Sequence, residues 1–192
     1  MTDKTETCIT AEEWLRSDDD ARIEVLDGEF VAEDDENMTA IHVRIIDNLY
    51  RLLFVVVKTA GLGELFTEGL KYVLKREGRK ILIERIPDLS FVRRERFPAD
   101  FNWSGHFEGA PDLAVEVALP GQATEKLIEK IADYLKYGTQ ETWLLFPDAR
   151  ELHRYQNNTR PPRIYRDGET LDGETLFPGL HIALSDVFKL ES

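Results

Sequence analysis

The sequence predicts an α/β (α+β) chain in which a mixed β-sheet is flanked by helices. Three observations predict it. Asp27-Gly28 is a strong hairpin signal between two alternating runs near the N-terminus. Apolar residues recur at helical spacing in two well-separated stretches. Short runs rich in Val, Ile, Leu and Phe, punctuated by Gly and Pro, lie between and after them and read as strands. With 192 residues, 42% of them hydrophobic, the chain suits one domain of ordinary size.

In chain order, residues 1–9 read as a flexible N-terminus and 10–192 as a single domain. "TAEEWL" (10–15) carries a capping box, with Thr10 as cap and Glu13 three residues on, and predicts a short helix. "RIEVLDGEFVAE" (22–33) predicts a β-hairpin. From 39 to 60 the apolar positions 41, 45, 49, 52, 53, 56 and 57 predict a long helix, ended by Gly61 and Gly63. Strands are expected at 72–77, 80–86 and 88–92, with 93–108 as a polar loop. "GAPDLAVEVALPG" (109–121) is a strand closed by turn chemistry at both ends. Residues 123–137 predict a helix with Leu127, Ile131, Tyr134 and Leu135 as its stripe, and "ETWLLF" (141–146) a further strand. The remainder reads as a β-rich C-terminal tail, with "FPGLHIALSDVF" docking against the core. One sheet is expected to carry these strands.

Composition limits the functions available. Lys and Arg number 24 against 37 Asp and Glu, a net charge of −13, so general binding to a phosphate backbone is disfavoured. Basic residues gather only at "KREGRK" (75–80) and "RRER" (93–96), which could form a local phosphate-facing patch. Cys8 is the only cysteine, which excludes an intrachain disulfide and a Cys-rich zinc site. A reducing, cytoplasmic setting is expected. The longest apolar run, "LLFVVV" (52–57), is too short for a membrane span.

The strand at 112–118 poses the chemical question. Side chains alternate faces along a strand, so Asp112, Ala114, Glu116 and Ala118 share one face while Leu113, Val115 and Val117 face the core. Either the acidic face is wet, or its carboxylates serve a divalent cation, since burying an unpaired carboxylate costs several kcal/mol. Asp88 in "IPDLSFV" opens another strand that could lie alongside. It reads equally as a turn residue. A lysine is the usual third member of such a site, because it stabilises charge on a phosphoryl group. The strand position for it holds Ala118. Lys126 and Lys130 follow on the next helix, and Lys130 borders the apolar stripe. It either extends along the sheet toward Glu116 or is a solvated lysine.

Taken together, "RIEVLDGE", "IHVRIIDNLYRLL", "IPDLSFV", "APDLAVEV", "EKIADYLKYGTQETWLLFPD" and "LFPGLHIALSDVF" resemble, in content and order, the Uma-type putative restriction endonuclease family of the PD-(D/E)XK nuclease superfamily. The resemblance spans roughly residues 10 to 188. It implies a restriction-endonuclease-like core and a Mg²⁺ (or Mn²⁺) site on Asp88 and Glu116, with Lys130 as the lysine displaced to the helix. It further implies Glu24 and Asp112 as auxiliary acids and a role for His42, which matches a histidine of the long helix. DNA would be the partner, and a homodimer would bring two sites to two strands. The sequence departs from the family at Gly121 and Gln122, where Ser and Asp are common. Two functions follow: an endonuclease hydrolysing DNA phosphodiester bonds, or a catalytically inactive nuclease fold serving as a binding or assembly module. A third, action on another phosphodiester or a small nucleotide, also fits.

Overall fold

A computed structural model of the protein describes residues 23–32, 39–67, 69–157, 159–173 and 176–190. The N-terminal segment, the capping box at 10–15 and Cys8 lie outside the described residues. The elements in order are β1 (Ile23–Leu26), β2 (Glu29–Ala32), α1 (Ala40–Ala60), β3 (Gly63–Thr67), β4 (Tyr72–Glu77), β5 (Lys80–Arg85), β6 (Leu89–Arg93), β7 (Phe107–Glu108), β8 (Leu113–Val117), α2 (Thr124–Lys136), β9 (Glu141–Phe146), β10 (Glu151–Gln156), β11 (Thr159–Arg166), β12 (Thr170–Asp172), β13 (His181–Ala183) and α3 (Leu184–Val187).

These strands form two large mixed sheets and a small ribbon rather than one sheet. One sheet has the order β2-β1-β5-β4-β7, another β11-β10-β9-β8-β6-β3, and β12 pairs with β13. The turn at Asp27-Gly28 has positive φ at both residues (50° and 81°), as a tight hairpin turn demands. In the six-stranded sheet β8 and β9 run parallel, joined by α2, whereas β6 and β8 run antiparallel. That antiparallel pairing decides which acids meet.

The alternation along β8 sorts its side chains as the sequence predicts. Leu113, Val115 and Val117 join Ile45, Leu49, Leu53 and Val57 of α1 in the main core. Each such fully buried aliphatic side chain contributes on the order of 1.5–3 kcal/mol. The C-terminal tail docks there too, through Phe177, Leu180, Leu184 and Val187. Ala114 faces the other way, into a cluster with Tyr72, Ile83 and Tyr134 that joins the six-stranded sheet to the five-stranded one. Leu127 and Ile131 seat α2 on Leu144 on that side.

α1 begins where Thr39 accepts the His42 amide at 3.3 Å and ends at Gly61 in the left-handed conformation. Its predicted face is narrower than expected: Ile41 is exposed, and Leu52 and Val56 are only partly covered. Two further strands emerge: β3, in a segment the sequence left unassigned, and β7, within the expected loop at 93–108. Gly63 is not a helix terminator but the first residue of β3. A Cβ there would lie 2.1 Å from the Val92 carbonyl oxygen, so the edge strand approaches β6 only through a glycine. Residues 94–96 form a short 3₁₀ turn, and Phe97, Phe101, Trp103 and Phe107 pack ring to ring beyond it.

Candidate active site

In the β6–β8 ladder Leu89 sits opposite Val115 and Phe91 opposite Leu113, so the register carried one step further sets Asp88 opposite Glu116. The Asp88 amide donates to the Val115 carbonyl at 3.0 Å. Its Oδ2 accepts the Val117 amide at 2.7 Å and lies 3.2 Å from His42 Nε2. His42 comes from the first turn of α1, so the start of that helix is tied to the end of β6. Asp88 is thus more than a turn residue.

Glu116 is buried, not wet. Its Oε1 accepts the Tyr134 hydroxyl at 2.8 Å, and its Oε2 lies 3.2 Å from Lys130 Nζ. The solvated-lysine alternative is excluded: Lys130 is 5% exposed. The same ammonium lies 3.2 Å from Glu24 Oε1. Lys130 and Tyr134 are four apart on α2 and share the face laid on the sheet. Glu24 in turn accepts the Ile86 amide at 3.0 Å and Arg85 at 2.6 Å. Arg85 reaches Asp133 at 2.5 Å. The fold therefore joins Glu24, Glu116 and Lys130 in one buried network and sets the His42–Asp88 pair at the adjoining end of β6.

Asp112 is not part of it. The antiparallel arrangement puts it at the other end of β8, roughly 13 Å along the strand from Glu116. It accepts the Arg93 amide at 2.9 Å, Arg96 at 3.1 Å and the Gln140 amide group at 3.0 Å. The basic run at 93–96 is thereby engaged away from the acids. The run at 75–80 turns between β4 and β5, roughly 16 Å along β5 from Arg85. Neither forms the phosphate-facing patch that sequence proximity to Asp88 suggests.

Burial and neighbouring charge act together on Arg85 and Tyr134. Burial opposes the charge on Arg85, but Glu24 and then Asp133 hold its pKa above the usual value. Burial first, and then the charges of Glu116 and Glu24, push the Tyr134 hydroxyl well up, so it remains a donor to Glu116. Sequence reasoning treats Tyr134 as apolar and passes over Arg85 and Asp133. A charge inside the apolar run "KILIERI" and an acid three residues after Lys130 were the available signals.

No group of three or more His, Cys, Asp or Glu fit to hold a metal occurs among the described residues. Asp88 and Glu116, side by side on adjacent strands, supply two carboxylates. That matches Mg²⁺, which takes one or two carboxylates and leaves its other positions to water and phosphate oxygens. The turn that departs from the family is closed by its own residues: Gln122 Oε1 accepts the Leu119 amide at 3.1 Å, and Gly121 adopts a φ of 81°.

The fold is shared with a solved protein, a putative nuclease of the DUF820 group from Anabaena variabilis. The TM-score is 0.76, over 94% of this chain and 97% of that one, at 24% identity. The family model Uma2, described as putative restriction endonuclease, matches residues 11–185, and the chain belongs to this family. No curated protein matches. Among the described residues, no helix is long and apolar enough to cross a membrane.

Proposed function

We propose that the protein is a divalent-metal-dependent endonuclease that hydrolyses DNA phosphodiester bonds. The observation that carries this reading is the facing pair Asp88 and Glu116, with Lys130 reaching Glu116 from α2. Asp88 and Glu116 would hold Mg²⁺ or Mn²⁺. When bound, that ion supplies Lewis-acid polarisation of the phosphate and a more acidic water.

The chain's own residues do the rest. His42 and the Val117 amide hold one oxygen of Asp88 and fix its orientation. Tyr134 and Lys130 do the same for Glu116. Lys130 is the only ammonium of the network and would stabilise the charge that gathers on the phosphate as a water attacks. Arg85 balances Glu24, which leaves Lys130 shared between two carboxylates rather than committed to one. Duplex cutting would require two copies, one site per strand, in a reducing cytoplasm.

Nicking of supercoiled plasmid and cleavage of single-stranded DNA with Mg²⁺ or Mn²⁺ test the reading. Both should be lost in Glu116→Gln and Lys130→Met. Cleavage indifferent to both substitutions refutes the site. The inactive-module reading is favoured by the net charge of −13 and the distant basic runs. Titration calorimetry with Mn²⁺ separates the two: a silent fold binds no ion at Glu116.

A further inference from the structure

A cavity of about 280 Å³ opens beside the acids. His42, which contacts Asp88, and Ala118, two residues past Glu116, both line it. Asp88, Glu116 and Lys130 do not line it, so an occupant sits against neighbours of the acids rather than on them. Its walls are largely apolar, with Ile41, Leu119, Leu127, Phe146 and Pro147 among them. Thr39, His42, Gln122, Thr124 and Asp148 supply the polar side chains of the lining. This size lies at the lower edge of small-molecule sites, about 300–1,000 Å³, and suits one ring system rather than a paired step.

Charge points the same way. The chain is strongly acidic and its basic runs lie at the far ends of β5 and β6, so backbone contacts contribute little to nucleic-acid affinity. A site of this kind gains its affinity from base faces. The Asp148 carboxylate disfavours a phosphate in the cavity, yet it can accept from an exocyclic amine, as acids do with cytosine.

We propose that this cavity takes one unpaired nucleobase, lodged against Phe146 beside the phosphate addressed by Asp88 and Glu116. The substrate is then single-stranded or flapped DNA rather than intact duplex, in which the base would first have to be unstacked. This rests on the nuclease reading and names its substrate class.

Binding of the full chain, read by fluorescence anisotropy, tests it. The probes are a short unphosphorylated single strand, the same strand as a blunt duplex, and the strand with one abasic site. The intact single strand should bind about tenfold tighter than the duplex. Ala149→Trp fills the cavity from an exposed turn, and Thr124→Trp fills it from the first turn of α2. Either should bring single-strand affinity down to that of the duplex. Equal binding of the two forms overturns the proposal, as does a preference that survives both fillings. A preference that appears only with a 5′-phosphate, or that inorganic phosphate abolishes, reassigns the cavity to an anion and overturns it too. Because the readout is binding, the two readings fail separately. If the wild type cleaves no DNA, the nuclease reading falls, and if Glu116→Gln still cleaves, its site assignment falls. If it is inactive and the fillings change nothing, only the cavity proposal falls.

Discussion

The two ends of the β6–β8 pair hold the same dipeptide, Pro-Asp, and put it to opposite uses. At one end Asp88 faces Glu116, and a lysine, a histidine and a tyrosine arrive from two helices. At the other end Asp112 is saturated by Arg93, Arg96 and Gln140. The first end concentrates carboxylates beside an opening. The second matches one carboxylate to its donors and is packed over by aromatic rings, including Arg96 on Phe107 at 5.1 Å. An acid surrounded by like charges is positioned to bind something. Glu116 also has a donor on each oxygen, but its ammonium is shared with a second carboxylate, Glu24, whereas Asp112 is ringed by donors alone and ties the fold together.

Substitution at the two ends should therefore separate activity from stability. The largest effect is expected for Glu116→Gln, which should lower metal-dependent cleavage about 10³-fold while far-ultraviolet circular dichroism stays native. Asp112→Ala should do the reverse. Removing the acceptor of the Arg93 amide and of the half-buried Arg96 guanidinium should cost about 2 kcal/mol and lower Tm by about 4–8 °C in a thermal melt, with cleavage intact below the transition. Comparable loss of cleavage in Asp112→Ala would erase the contrast.

Metal sharpens the comparison. Mn²⁺ at about one hundred times its Kd should stabilise the wild type by about 2.7 kcal/mol, Asp112→Ala by the same amount, and Glu116→Gln by none. The smallest effect concerns Tyr134. Its pKa is raised in the folded state, so its stabilising contribution is full below the ordinary tyrosine value of about 10 and is lost as pH rises through the folded value. Tyr134→Phe should cost about 1 kcal/mol at neutral pH and flatten the alkaline decline in stability measured by urea titration.

Periodicity was enough to place α1, α2 and the strands from 72 to 92 within a residue or two, because those segments bury one face against one layer. It also placed Asp112 and Glu116 on a common face, and that parity holds. Partnership was not legible. Strand direction is set by connections and packing far from the residues concerned, so the shared "PD" suggested equivalence where the antiparallel register creates opposition. The border position of Lys130 on an amphipathic helix left a solvated lysine equally open, and only the family resemblance pointed it at Glu116. Arg85 was not identifiable, because a buried charge in a strand looks like an error until Glu24 and Asp133 are seen beside it. β3 was hidden by Gly63, whose signal for a stop and signal for close approach are the same letter.

Ala118 has a consequence of its own. In the proposed site the ammonium comes from α2, so the strand position after Val117 is left to a small side chain. A lysine there would extend over the space that Ala118 leaves open at the cavity wall. Moving one cation from strand to helix thus uncouples the shape of the recess from the reactive group. On the proposed reading, substitutions in the wall at 118–122 change what the recess accepts and leave Asp88, Glu116 and Lys130 untouched.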